Sequence, residues 1–217
     1  MHKIGEILKS NNSEILKQYK FLNKGIYMSF IGPSGSGKST LLNYISENYD
    51  IKTKEVSARK FLDSTKGSYD EQMNDELQTK INFHYIKETF ENIIKIYEGK
   101  SIITTRCLID SLAYTYTLKA AEFLIPQMEE AVEFLKERIL NNEMIILYTP
   151  CDFPMAQIDD KIRGMNEDIR QKTDKVFIDI LGRFNIPHFT IKGTIEERKS
   201  ILDEIMKKYN IQKLLNN

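Results

Sequence analysis

One stretch of the 217-residue chain combines residue types and spacing that do chemistry: Gly32, Pro33, Ser34, Gly35, Ser36, Gly37, Lys38 and Ser39, followed by Thr40. It fills every fixed position of G-x-x-x-x-G-K-[ST]. Glycines at these positions let backbone N–H groups wrap a phosphate, and the start of a following helix adds its positive end. Lys38 is placed to reach the β- and γ-phosphates of a nucleoside triphosphate, and the Ser39 hydroxyl to ligate Mg²⁺. The bland alternative is a glycine-rich turn. The flanks argue against it, since an apolar strand pattern at 25–31 enters the loop and a helical one at 39–47 leaves it. ATP and Mg²⁺ are therefore the expected cofactors.

A phosphate-binding loop names a ligand and not a reaction. The base-reading N-K-x-D of GTPases is absent after the late strand, where Thr149, Pro150, Cys151 and Asp152 stand, and Asn23-Lys24 precedes the loop. Small-molecule kinases remain, and they need a group to activate the acceptor, an acid near Mg²⁺ and an arginine-bearing segment that excludes water. Glu55, at the end of the second strand, is a candidate for accepting a hydroxyl proton or binding an acceptor; a solvated glutamate is its alternative. Arg106 directly follows the third strand, where a guanidinium can grip phosphate. Arg163 and Arg170 fall in a polar, Gly-broken stretch that reads as a lid, although charges there also suit a solvated face. His84, Cys107 and Cys151 read as structural, and the two cysteines match no zinc spacing.

The elements that must position these groups alternate. Strand patterns lie at 25–31, 51–56, 101–105, 144–149 and 188–191, and helical ones at 39–47, 69–97, 108–121 and 127–140. Another helix is marked by Ile169, Thr173, Val176 and Phe177, and a last one opens at the capping-box pair Thr194 and Glu197. Strands alternating with helices predict an α/β fold with a parallel sheet covered on both faces. With 31 Lys+Arg against 31 Asp+Glu the formal charge is zero, which argues against a polyanion-coating surface but leaves a local basic groove open. At 41% hydrophobic residues the chain can build a core. No membrane-length apolar run and no signal-peptide pattern is present, so a single cytoplasmic domain over 1–217 is expected. It would carry an N-terminal helical extension at 1–24 and a lid at about 152–168.

These residues resemble the P-loop nucleoside and nucleotide kinases, and within them the AAA-type family that contains the ribosylnicotinamide kinase domain and many phage-encoded kinases. The resemblance rests on 32–40, on 55–62, on 106–114 with Arg106, Asp110 and Tyr114, on 159–170, and on 193–198. It implies a P-loop NTPase three-layer sandwich whose five parallel strands run in the order 2-3-1-4-5. It further implies that Glu55 and Arg59 line the acceptor site with Arg106, that Asp110 and Tyr114 lie near it, that Arg163 and Arg170 belong to the lid, and that Gly193 and Thr194 lie by the adenine. One residue departs from the pattern. The family's third strand usually ends in an acid before the arginine, whereas Thr105 precedes Arg106 here. Glu55 is the first substitute for that acid, with Asp110 assisting and Asp152 behind it.

Three activities follow. The first is transfer of the ATP γ-phosphate to a nucleoside or nucleoside monophosphate. The second is a nucleotide-binding regulator or degenerate kinase, prompted by Thr105. The third is a kinase of a hydroxymethylated base in DNA, which the neutral net charge does not favour. The segment before residue 25 either packs under the sheet or mediates a homodimer.

Overall fold

The computed structural model describes residues 24–63, 72–152 and 167–214. Its strands are β1 (Tyr27–Ile31), β2 (Lys52–Glu55), β3 (Ile102–Thr105), β4 (Met144–Tyr148) and β5 (His188–Thr190). They form one parallel sheet in the order β2-β3-β1-β4-β5. In the centre, Tyr27 of β1 stands opposite Ile102 on one side and Met144 on the other. The helices are α1 (Lys38–Asn48), α2 (Asp75–Tyr97), α3 (Leu108–Leu118), α4 (Ile125–Leu140), α5 (Glu167–Arg183) and α6 (Ile195–Lys208).

Side chains alternate across a strand, so β1 feeds two cores. Met28 and Phe30 pack with Leu41 and Ile45 of α1 and with Leu202 and Met206 of α6. Tyr27 and Ile31 point the other way, into Ile96 of α2, Leu112 of α3, Val132 of α4 and Phe177 of α5. A strand buried on both faces has no polar face to alternate with, which is why β1 reads as an apolar run interrupted only by the small Ser29. The outer strand β2, with Lys52, Thr53, Lys54 and Glu55, is the opposite case, and its charges discourage pairing with another chain.

Helix ends differ from the periodicity where caps decide them. Of the helix expected over 69–97, residues 69–71 lie outside the described residues, and α2 begins at Asp75, where the Asn74 side chain accepts from Leu77 N at 2.9 Å and caps it. The third ends at Leu118 and not at 121, since Lys119 turns into the left-handed region at φ 54°. The fourth starts at Ile125, two residues early, with Pro126 in the first turn where its missing N–H costs nothing. The Thr194–Glu197 capping box forms as expected. The helices expected before residue 24, and most of the expected lid including Arg163, lie outside the described residues. Among the described residues no helix is long and apolar enough to cross a membrane.

Candidate nucleotide and acceptor site

The loop between β1 and α1 is built on glycines at φ 136° (Gly32), 70° (Gly35) and 89° (Gly37), conformations that other residues rarely adopt. A methyl group on Gly32 would meet Thr149 O at 2.2 Å, so the exit of β4 is packed directly on the loop. Thr149 Oγ1 also donates to Ile31 O and pairs with Ser36 Oγ, each at 2.9 Å. The Lys38 ammonium folds back over this cradle and donates to Gly32 O at 2.7 Å, Pro33 O at 2.6 Å and Ser36 Oγ at 3.1 Å. Burial, and after it the Arg106 guanidinium, holds Lys38 well below the usual lysine range, with Asp110 pulling the other way. Three donors aimed at neutral oxygens in a left-handed glycine cradle make a site for phosphate oxygens, which would bind the charged lysine more strongly.

Beside the cradle, the Ser39 hydroxyl donates to Glu55 Oε1 at 2.9 Å, and Glu55 is exposed. A hydroxyl whose proton is held by a carboxylate leaves its lone pairs for a hard cation. Mg²⁺ takes one or two protein oxygens and fills its shell with water and phosphate, so this pair fits it.

The register explains Thr105. Its Oγ1 accepts from Val56 N at 3.1 Å and donates to Val56 O at 3.3 Å, so the side chain prolongs the β2–β3 pairing. Its partner across the pair is Glu55. An acid absent from the end of β3 is thus present at the same level one strand over.

Arg106 takes φ 87°, uncommon outside glycine, with its N–H donating to Phe30 O at 2.7 Å. Its guanidinium stands 5.4 Å from the Tyr114 ring centre. Asp110 is fully buried; Oδ2 accepts from Cys107 N at 3.0 Å, and Oδ1 has no hydrogen bond of normal geometry, the Gly32 backbone being only a weak neighbour. Burial raises its pKa, against the pull of Arg106 and Lys38. Tyr85 Oη faces the same charges and is buried without a hydrogen bond of normal geometry, the Ala58 backbone being only a weak neighbour. Next to this cluster, a pocket of about 360 Å³ is lined by Glu55, Arg59, Lys60 and His84 among others. His84 Nδ1 lies 3.2 Å from Lys60 Nζ there, and burial, then Lys60, lowers the His84 pKa.

The fold therefore brings buried Lys38, Asp110 and Tyr114 together with half-buried Arg106, sets Ser39 and Glu55 at the rim of that cluster, and leaves Arg59 on the neighbouring pocket. Arg170, expected as a lid residue, is fully buried: Nε donates to Ser34 O at 3.2 Å, and Nη1 to both Glu167 oxygens at 2.9 and 3.0 Å. It braces the outside of the phosphate loop. Thr40 is exposed in the first turn of α1. Gly193 and Thr194 follow β5, where Gly193 N donates to Asp152 Oδ2 at 2.6 Å. Two residues that the sequence reading named were given no role there. Thr149 gave no signal beyond its place before Pro150, but Arg198 did: 198, 202 and 205 lie on the inward stripe of α6, and a charge on such a stripe asks for a reason.

Residues 28–198 match the family model AAA_28, described as an AAA domain. No curated protein matches the sequence. Among solved structures, thymidylate kinase from Candida albicans superposes with a TM-score of 0.61 at 14% identity, covering 88% of this chain and 99% of that one. NadR protein in complex with NR gives 0.62 at 14% identity over 89% of this chain and 54% of NadR, so the chain spans about half of that protein. Deoxyadenosine kinase from M. mycoides with bound dATP gives 0.52 at 15% identity, over 85% and 99%. At these identities the likenesses speak for the fold, while the family match spans phosphate loop, Glu55, Arg106 and Arg198 together: the chain belongs to the AAA_28 family of P-loop AAA domains.

Proposed function

We propose that the protein is an ATP-dependent phosphotransferase that moves the γ-phosphate to a nucleoside, a nucleoside monophosphate or a related acceptor. The observation that carries this reading is the Ser39–Glu55 pair, which restores an acid beside the phosphate loop at the level where Thr105 removed one. The solved kinases that share the fold favour the same acceptor classes.

In this reading the loop from Gly32 to Thr40 holds the triphosphate, and Lys38 exchanges its carbonyl and hydroxyl partners for β- and γ-phosphate oxygens. Ser39 would hold Mg²⁺, which when bound neutralises charge on the phosphates. Where the acceptor attacks through a hydroxyl, Glu55, oriented by the Ser39 hydroxyl, accepts its proton as that oxygen bonds to the γ-phosphorus and the bond to ADP breaks; a nucleoside monophosphate attacks through an anionic phosphate oxygen and gives up no proton. Arg106, held against Tyr114, stabilises the transferring phosphoryl group. Asp110 offsets the charges of Arg106 and Lys38, and Arg59 meets the acceptor. Arg170 acts through Ser34. Arg163 is assigned to a covering segment, and Gly193 and Thr194 to the base end of the nucleotide.

The test is a labelled-ATP transfer assay against nucleosides, nucleoside monophosphates, ribosylnicotinamide and hydroxymethylated DNA, with Lys38→Ala as control. One labelled product class, lost in the control, supports the reading and names the acceptor. The regulator reading is favoured by one observation, that Thr105 is spent inside the sheet. ATP binding with no product from any acceptor would select it.

A further inference from the structure

The nucleotide-side edge of the sheet holds an ion pair between a buried arginine and an exposed aspartate that the reaction above leaves unused. Arg198 is 2% exposed. Its Nε donates to Gly193 O at 2.9 Å, Nη1 donates to Ser36 O at 2.7 Å, and Nη2 pairs with Asp152 Oδ1. The second Asp152 oxygen takes the Gly193 N–H. One guanidinium thereby joins three separate loops: the phosphate loop, the exit of β4 and the exit of β5.

Stability alone gives a weak reason for such a pair, because water around the exposed Asp152 carboxylate screens the attraction and such pairs contribute little. Peptide geometry gives a better one. In a trans peptide the C=O and the next N–H point in opposite directions, and no cis peptide occurs among the described residues. Arg198 holds the Ser36 carbonyl, so the Gly37 N–H is turned away from Arg198. Arg170 does the same to the Ser34 carbonyl and hence to the Gly35 N–H. At its other end, Arg198 shares Gly193 with Asp152: its Nε holds the Gly193 carbonyl while Asp152 holds the Gly193 N–H. Glu55 marks the β2 side of the phosphate loop as the acceptor's. The rest of a bound nucleotide then extends over the strand ends of β4 and β5, where ligands of open parallel sheets lie.

We propose that Arg198 and Asp152 are a positioning pair for the nucleotide, holding the loop after β5 and the Ser36–Gly37 peptide in one register so that the base end and the phosphate end meet a single preformed site. This rests on the reading of the glycine loop as a nucleotide triphosphate site. Asp152 touches Gly193 and Arg198 but not the phosphate loop, whereas Arg198 touches both loops, and that division can be measured.

Calorimetric titration with Mg-ATP and with inorganic tripolyphosphate, which has phosphates but no base, separates the two ends. The isosteric change Asp152→Asn is expected to weaken ATP about tenfold while leaving tripolyphosphate within about twofold. Arg198→Lys keeps the charge but loses the three-way reach, and is expected to weaken both ligands by about tenfold. Methylguanidine added to Arg198→Ala should recover part of the ATP affinity. Unchanged ATP affinity in Asp152→Asn and Arg198→Lys, even with lowered melting temperatures, would overturn the proposal and leave a merely structural pair. An equal loss of ATP and tripolyphosphate in Asp152→Asn would overturn it too. A wild-type protein that binds neither ligand fails the phosphotransferase reading itself, whereas wild-type binding with unaltered variants fails this inference alone.

Discussion

The two flanks of the phosphate loop are built to opposite plans. On the β4–β5 flank Thr149, Asp152, Arg170 and Arg198 each hold a loop backbone group through a hydrogen bond inside the protein. On the β2–β3 flank Glu55 is exposed, Arg106 sits at φ 87°, and Tyr85 Oη and Asp110 Oδ1 are buried with no normal hydrogen bond. A buried polar atom left unsatisfied costs about 1–3 kcal/mol, so the second flank carries a cost that the first has removed. The contrast separates a side that is finished before any ligand arrives from a side that a ligand must complete. For a phosphotransferase, the finished side suits a common donor, and the unfinished side suits a particular acceptor whose polar groups fill the gaps.

The largest test of that contrast is Glu55→Gln. The amide keeps the size and still accepts from Ser39 but cannot take a proton. Phosphoryl transfer to a hydroxyl acceptor should fall by about 100-fold or more, as loss of a general base does, with ATP affinity within about threefold. Steady-state kinetics beside ATP titration decides it. A variant that loses ATP binding in step with turnover would move Glu55 to the donor side and erase the distinction between the flanks.

The finished flank was the harder one to read in the sequence. The glycine–lysine motif announces the phosphate loop because its chemistry is local, and the sheet follows from alternating apolar runs. Arg198, Asp152 and Thr149 act on Ser36, Gly193 and Ile31, which are distant in sequence, so no spacing rule joins them. Arg170 shows the same gap: a charged residue near a glycine-broken stretch looks like a mobile finger, yet helix α5 buries it against Ser34. Thr105 is the reverse case. The missing acid was legible, and its register partner Glu55 was the first substitute, but only the β2–β3 pairing places them side by side. Asn74 and Lys119 set helix ends because caps depend on one residue, whereas periodicity averages over a window.

Gly193→Ala strikes the finished flank next. A side chain there would be held at φ 93°, which should cost about 1–2 kcal/mol of stability in thermal denaturation, while the flexible end of Glu197 can move aside. A cost near zero would show that this loop yields, and the rigid side would lose its definition. A smaller effect comes from Lys38. Its folded pKa is lowered by burial first and then by Arg106, while the unfolded chain keeps about 10.4. Between the two values the unfolded state holds a proton that the folded state lacks, so stability should rise with pH across that window. Lys38→Met should flatten the rise in melting temperature, and bound tripolyphosphate should do the same by restoring the charge.

The smallest expected change is the sharpest probe of the unfinished flank. Tyr85 is 1% exposed, burial pushes its hydroxyl above the usual tyrosine range, and its nearest charges are Arg106 and Asp110. Tyr85→Phe removes that hydroxyl and keeps the ring packed against Val56 and Ile81. Because no normal hydrogen bond is lost, the free protein should melt at the same temperature or gain up to about 1 kcal/mol, the relief of a desolvated group. Once the acceptor is known, its KM should rise about tenfold with kcat little changed, since a contact made equally in ground and transition states is what the hydroxyl would supply. A loss of more than about 1 kcal/mol in the free protein would mean that the hydroxyl is already satisfied there. The β2–β3 flank would then be as finished as its neighbour, and the acceptor would have to be sought along the pocket lined by Arg59, Lys60 and His84.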